Sequence, residues 1–253
     1  MALKRPKWHA GSLVVLEHQS KVLRDNPLGD PSVRRLAVWL PPGYDEGATR
    51  GRGIRYPVLV DMAGFTGSGL GHIGWKNFSE NLPERAARLV NEGRMAPAVL
   101  VFPDCFTALG GNQYINSSAI GRYADYLTKE IVPFVDREFR TRASREHRGC
   151  FGKSSGGYGA IIHAMKYPQT WGAIADHSGD AYFEFVYGHD WPNTLSELAK
   201  HYERCETDLP KALDAANQAA ALEPSEQTEK RIARLERRIA RTSKTQRRLA
   251  CET

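Results

Sequence analysis

The residues of this chain best suited to chemistry stand together in Gly152-Lys153-Ser154-Ser155-Gly156. A serine hydroxyl attacks a carbonyl carbon when it is raised on a sharp turn, has a base in reach, and faces amide donors that receive the developing oxyanion. Such a turn presses together the residues two before and two after the serine, so only small ones fit there. Gly152 and Gly156 meet that demand around Ser154. Centring the turn on Ser155 instead would crowd Lys153, so Ser154 is the expected nucleophile. The backbone N–H of Ser155 is one expected oxyanion donor. A second is the N–H of Phe65, in the glycine-bearing turn Ala63-Gly64-Phe65-Thr66-Gly67.

Strand-like runs are expected at Ser12 to Glu17, Val33 to Leu40, Pro57 to Met62, Pro97 to Phe102, Glu146 to Phe151 and Gly172 to His177. Several are short, Val-rich and continuous, as in a parallel sheet covered on both faces. Helical stretches at Asn81 to Asn91, Ala119 to Phe139 and Gly157 to Lys166 alternate with the later strands. This pattern predicts an α/β fold with a doubly wound, mostly parallel sheet whose first two strands form an antiparallel lead-in. Ligands then bind at the carboxyl ends of the strands, on the loops after Met62, Phe102, Phe151 and His177. Ala181 to Trp191 is rich in aromatics and reads as a loop or lid. Thr194 to Glu206, Pro210 to Leu222 and Glu226 to Leu249 read as helices with no strand among them. The expected division is residues 1–192 for the α/β domain and 193–253 for a helical, basic extension.

Charge and composition narrow the partners. The net charge of +6 is matched by the last stretch alone, where Glu229 to Thr253 carries nine Lys/Arg against three Glu. A charged terminus of this kind is most often a solvated helix face, and without aromatic interleaving it argues against nucleic acid. Ile232, Leu235 and Ile239 make a short apolar seam that leaves self-association open. No stretch approaches the ~20 apolar residues that span a bilayer, so a cytoplasmic protein without a membrane partner is expected. Cys105, Cys150, Cys205 and Cys251 form no Cys-x-x-Cys pair, which argues against a zinc site or disulfide scaffold. Neither metal nor cofactor is expected.

A longer succession of blocks carries a family resemblance. Phe102-Pro103-Asp104, Gln113-Tyr114-Ile115-Asn116-Ser117, Gly121-Arg122-Tyr123-Ala124-Asp125-Tyr126, Glu130 to Asp136, the serine turn with Gly156-Gly157-Tyr158-Gly159-Ala160, and His177-Ser178-Gly179-Asp180 follow one another. Together they resemble the putative-esterase family, which includes esterase D (S-formylglutathione hydrolase), feruloyl and enterochelin esterases and mycolyltransferases. The resemblance covers about Ser12 to Trp191. It implies an α/β-hydrolase fold and hydrolysis of a small-molecule carboxylic ester or thioester through an acyl-enzyme. Many members have His-Gly at the oxyanion loop where this chain has Ala63-Gly64.

The family places its acid and histidine after a seventh and an eighth strand, and neither strand is legible here. After the serine the histidines are His163, His177, His189 and His201. His163 falls inside the following helix, His177 belongs to a block that looks structural in the family, and His201 faces solvent on a polar helix. His189, in the aromatic loop, is the expected base, and Asp180 the expected acid ahead of Asp176 and Asp190. Two readings stay open: an esterase using Ser154, His189 and Asp180, or a hydrolase scaffold without activity that acts in binding or self-association through its basic tail.

Overall fold

The computed structural model describes residues 9–45, 53–181, 191–205 and 207–251, with side chains at 191–194 and 243–251 left aside. The chain divides into two compact units, Met1–Ala181 and Tyr182–Thr253.

The first unit is built on six strands: β1 (Ser12–Gln19), β2 (Val33–Leu40), β3 (Val58–Met62), β4 (Val99–Pro103), β7 (Arg148–Lys153) and β8 (Ala173–His177). They lie in the order β1-β2-β4-β3-β7-β8. β1 pairs antiparallel with β2 and β2 with β4, whereas β4, β3, β7 and β8 run parallel. Their period of two divides the side chains between two cores. Leu36, Val38, Val58, Val60, Val99 and Val101 face one core, and Ala37, Trp39, Leu59, Leu100 and Phe102 face the other. The chain thus has the mostly parallel, doubly covered sheet of the α/β-hydrolase fold.

Helices cover both faces. The second core takes α1 (Gly69–Ile73) and α2 (Leu82–Asn91). At the start of α2 the Asn81 side chain accepts from the Glu84 N–H while Glu84 accepts from the Asn81 N–H, each at 2.9 Å, a reciprocal cap. The first core takes α3 over 123–138, with a π-helical turn at Tyr126–Ile131 and Pro133 beginning its last segment, and α4 (Ser155–Lys166).

Three differences from expectation have local causes. The stretch before α3 forms a small hairpin, β5 (Asn116–Ser117) with β6 (Gly121–Arg122), so α3 starts at Tyr123 rather than Ala119. Glu146 lies in a 3-10 turn, Arg145–His147, that precedes β7. α4 begins at Ser155, two residues before Gly157, because the turn at Ser154 feeds directly into it.

The second unit contains α5 (Trp191–Arg204), α6 (Leu209–Leu222) and α7 (Glu226–Cys251). Ala212, Ala215, Ala216 and Ala219 put small side chains along one face of α6, and Leu235 of α7 and Ala199 of α5 share their buried cluster. Most of the seam seen in the sequence is therefore used within this unit, with Leu235 fully buried and Ile232 packed at its margin. Buried Glu203 accepts from Arg234 Nη2 and Arg238 Nη1, both at 2.7 Å. Burial alone would raise its carboxyl, but the two guanidiniums outweigh it and hold the group below the usual range.

Candidate active site

Ser154 occupies the turn between β7 and α4 with φ 55° and ψ −125°, a backbone conformation sparsely populated by non-glycine residues. Its neighbours show what holds it there. A methyl placed on Gly156 would sit 1.8 Å from the Met62 carbonyl oxygen, and one on Gly152 would sit 2.4 Å from that atom and 2.5 Å from the Gly156 carbonyl carbon. The end of β3, the end of β7 and the first turn of α4 thus touch backbone to backbone. Gly157 is equally confined, 2.1 Å from Asp176 Oδ1 and 3.0 Å from the Gly179 Cα by the same measure. That contact draws the loop after β8 against the start of α4. The Ser154 N–H donates to the His177 carbonyl at 3.1 Å, and the Tyr158 N–H donates to the Ser154 carbonyl at 3.0 Å.

Asp180 arrives through the same loop. Ser154 Oγ donates to its Oδ1 at 3.2 Å and Ser155 Oγ to its Oδ2 at 3.0 Å. The carboxylate therefore touches the hydroxyl directly, whereas in an acid–base–nucleophile relay the imidazole stands between them. His189 lies outside the described residues, as do Asp190 and nearly all of the aromatic stretch that contains it. Asp176, the other weighed acid, is the residue packed on Gly157 and Gly179.

The described histidines are placed as follows. His163 is fully buried, its Nε2 2.8 Å from the Tyr114 carbonyl while its Nδ1 accepts from Trp171 Nε1 at 3.0 Å. The tryptophan N–H fixes the tautomer with the proton on Nε2, and burial lowers the pKa to about 4, so this ring stays neutral. His177 is exposed at the end of β8, and its carbonyl serves Ser154. His201 is exposed on α5, in the other unit.

On the side of Phe65, an expected oxyanion donor, Gly64 lies against the turn, where a methyl on it would sit 3.8 Å from Ser154 Cβ. Phe65 follows, and the chain at 107–114 secures it. The Gly111 N–H donates to the Phe65 carbonyl at 2.7 Å, and a methyl on Gly111 would reach the Phe65 Cα at 2.8 Å. Gln113 and Tyr114 then adopt positive φ of 51° and 59°. Tyr114 donates its hydroxyl to the Ala63 carbonyl at 2.8 Å, and Gln113 Nε2 donates to Ser155 Oγ at 3.4 Å. Ser155 itself is buried at the first position of α4, where backbone N–H groups lack helical partners and the helix dipole favours negative charge.

Two elements of the site escaped the sequence reading. The first is the fastening of the Phe65 loop by the strap of Gly110 to Tyr114: Gln113 and Tyr114 stand in one of the family blocks, but nothing in the sequence tied them to Phe65. The second is a buried carboxylate on β3, Asp61, with His72 Nδ1 of α1 at 2.5 Å from its Oδ2. Burial raises the Asp61 carboxyl, and the hydrogen bond to Asp61 raises His72. The pair brackets the loop that carries Phe65. Cys105 and Cys150 are buried thiols pushed upward by desolvation, Cys150 to about 12, and so are poor nucleophiles. Among the described residues no cluster of three or more His, Cys, Asp or Glu is arranged to hold a metal, and no helix is long and apolar enough to cross a membrane.

Comparison with known proteins places these features in context. The family model described as "Putative esterase" matches residues 31–187. An endo-1,4-beta-xylanase/feruloyl esterase of Xylanibacter ruminicola is 26% identical over 156 residues, which is 57% of this chain and 19% of that protein. An esterase of Mycobacterium tuberculosis is 32% identical over 110 residues, 40% of this chain and 23% of that protein. The chain thus spans less than a quarter of the length of these two curated relatives. Among solved structures, a ferulic acid esterase of Anaeromyces mucronatus superposes with a TM-score of 0.52 at 18% identity, covering 72% of this chain and 63% of that one.

Proposed function

Since the chain belongs to the putative-esterase family, we propose that it hydrolyses a carboxylic ester or thioester through an acyl-enzyme on Ser154. Ser154 Oγ attacks the carbonyl carbon as His189 takes its proton. The oxyanion of the tetrahedral intermediate is received by the Phe65 and Ser155 N–H groups. The intermediate collapses, the C–O or C–S bond breaks, and the leaving alcohol or thiol takes the proton from His189. A water then attacks the acyl-enzyme by the same steps, releasing the acid and restoring the serine. Asp180, already beside Ser154, would turn to hold the other nitrogen of the imidazole.

The observation that carries this reading is the backbone of Ser154, with φ 55° between two glycines that no larger residue could replace. A conformation of that cost, on the order of 1–3 kcal/mol, persists where the surrounding structure imposes it, and such sites cluster at catalytic centres. Phe65 and Trp75, both exposed, would supply apolar surface of the kind that lines acyl sites. Turnover of p-nitrophenyl acetate or butyrate by the purified protein, compared with Ser154→Ala, tests the reading. Equal rates for the two proteins would sink it.

A second reading is favoured by the contacts of Ser154 Oγ: among the described residues its hydrogen-bond partner is a carboxylate, not an imidazole. On that reading the scaffold binds without turning over, and its basic helical unit serves association. The same assay separates the two. A His189→Ala variant that keeps wild-type turnover would exclude a relay through His189 and leave an esterase with another base, not the second reading.

A further inference from the structure

We propose that Asp61 of β3 and His72 of α1 clamp the loop between them, and that His72 is thereby a positioning residue that aims the Phe65 N–H at the oxyanion. The oxyanion role rests on the esterase reading above; the clamp does not. Asp61 is the last residue but one of β3 and His72 the last but one of α1. Their contact, His72 Nδ1 to Asp61 Oδ2 at 2.5 Å, therefore ties the strand that the loop leaves to the helix that it enters.

α1 needs such a tie. It has five residues, and a helix of little more than one turn does not persist without outside contacts. At its start, a methyl on Gly69 would sit 2.7 Å from the Phe102 carbonyl carbon and from the Pro103 carbonyl oxygen, so the helix backbone lies against the end of β4. At its end, Asn81 Nδ2 donates to the Ile73 carbonyl at 3.1 Å. His72 adds the link to β3. Asp61 is 2% exposed, on the strand face that it shares with Leu59, and Leu59 lies in the apolar cluster with Leu70 and Ile73 of α1. A carboxylate there is costly to leave without a partner, which makes the bond a directional one.

The path from α1 to the Phe65 N–H runs through backbone. That N–H belongs to the peptide whose oxygen is the Gly64 carbonyl, and a planar trans peptide points the two in opposite directions. Whatever holds the Gly64 oxygen therefore aims the Phe65 N–H. The Gly67 N–H donates to that oxygen at 3.0 Å. Gly67 stands one residue before Ser68, whose carbonyl accepts from the Gly71 N–H at 2.9 Å in the first turn of α1. The strap fastens other atoms, with the Tyr114 hydroxyl on the Ala63 carbonyl and the Gly111 N–H on the Phe65 carbonyl. Strap and clamp thus act on successive carbonyls of one loop, and the carbonyl between the two held by the strap is governed from the side of His72.

Three variants of the full chain test the clamp. His72→Leu leaves Asp61 without its partner. Asp61→Leu combined with His72→Leu removes both polar groups together, which spares the fold a lone buried carboxylate. His72→Asn keeps a donor near the place of Nδ1. Amide exchange over residues 63–68, read by mass spectrometry, should rise at least about tenfold in both leucine variants and return towards wild type in His72→Asn. On p-nitrophenyl acetate, kcat should fall about 10- to 10²-fold in the leucine variants with KM within about twofold, because the donor acts on the transition state. His72→Asn should recover kcat to within about threefold of wild type. A thermal melt shows whether the double variant regains stability. Recovery of kcat along with stability in that variant overturns the positioning role, and so does a loss carried by KM. Exchange at the wild-type rate in both leucine variants overturns the clamp. If wild type turns over no ester faster than Ser154→Ala, the esterase reading fails and the exchange rates alone decide the clamp.

Discussion

The turn at Ser154 and the helical unit over 191–251 are held by different physics. At the turn, three backbone segments meet without side chains between them, so a single methyl on Gly156 finds no space. In the helical unit, alanines of α6 and Leu235 of α7 meet through ordinary side-chain packing, and a pair of arginines closes on Glu203. The first arrangement imposes a conformation that the isolated chain would avoid. The second reinforces a conformation that Ala-, Leu- and Glu-rich segments already prefer. Backbone strain held in place by rigid contact is what a site needs and a scaffold does not.

That contrast can be broken in order of expected effect. Ser154→Ala should lower esterase kcat by at least about 10³-fold, the scale seen when a nucleophile is removed, with the melting temperature unchanged or raised; the p-nitrophenyl ester assay and a thermal melt read both. Gly156→Ala should destabilise the first unit by about 3 kcal/mol or more, since the methyl meets backbone that cannot step aside. Denaturant unfolding measures it, and a loss under about 1 kcal/mol would mean the turn is looser than its backbone contacts require. In the helical unit the matching test is charge. Glu203→Gln removes the partner of two arginines and should cost about 1–2 kcal/mol at pH 7.

Glu203 in the second unit and His72 in the first should also contribute to stability with opposite pH dependence. Glu203 is lowered in the fold, so its contribution is present above the ordinary carboxylate range and is lost as pH falls through the lowered value. The deficit of Glu203→Gln should therefore shrink between neutral pH and pH ~3. His72 is raised by Asp61, so its contribution is full below the ordinary histidine value near pH 6.5 and is lost as pH rises through the raised one. His72→Gln should cost on the order of 1 kcal/mol at pH ~6 and less at pH ~9. Melting curves of each variant against wild type across this range decide both, and parallel pH profiles would refute the contrast.

Much of the scaffold was legible because its signals are local. Val58 to Met62 and Val99 to Phe102 read as buried strands from their composition, and Gly152 and Gly156 marked the turn because the steric demand falls at fixed offsets in sequence. α1 was not legible, since five residues are too few to display a helical period. The hairpin strands Asn116–Ser117 and Gly121–Arg122, two residues each, are shorter still. Asp61 and His72 gave no sign of their pairing, because each is unremarkable until the sheet buries one and the helix brings the other to it.

Residue order alone was enough for the kind of turn at Ser154, the alternation that builds a parallel sheet, and the neighbours that mark the family. It took the folded chain to show that Asp180 touches the serine directly, that Gly111 and Tyr114 fasten the loop of Phe65, and that His72 reaches back to Asp61. The reason is range. Turn geometry and periodicity are written in residues a few positions apart, whereas a hydrogen bond between positions 34 and 123 exists only after six strands have been placed in order.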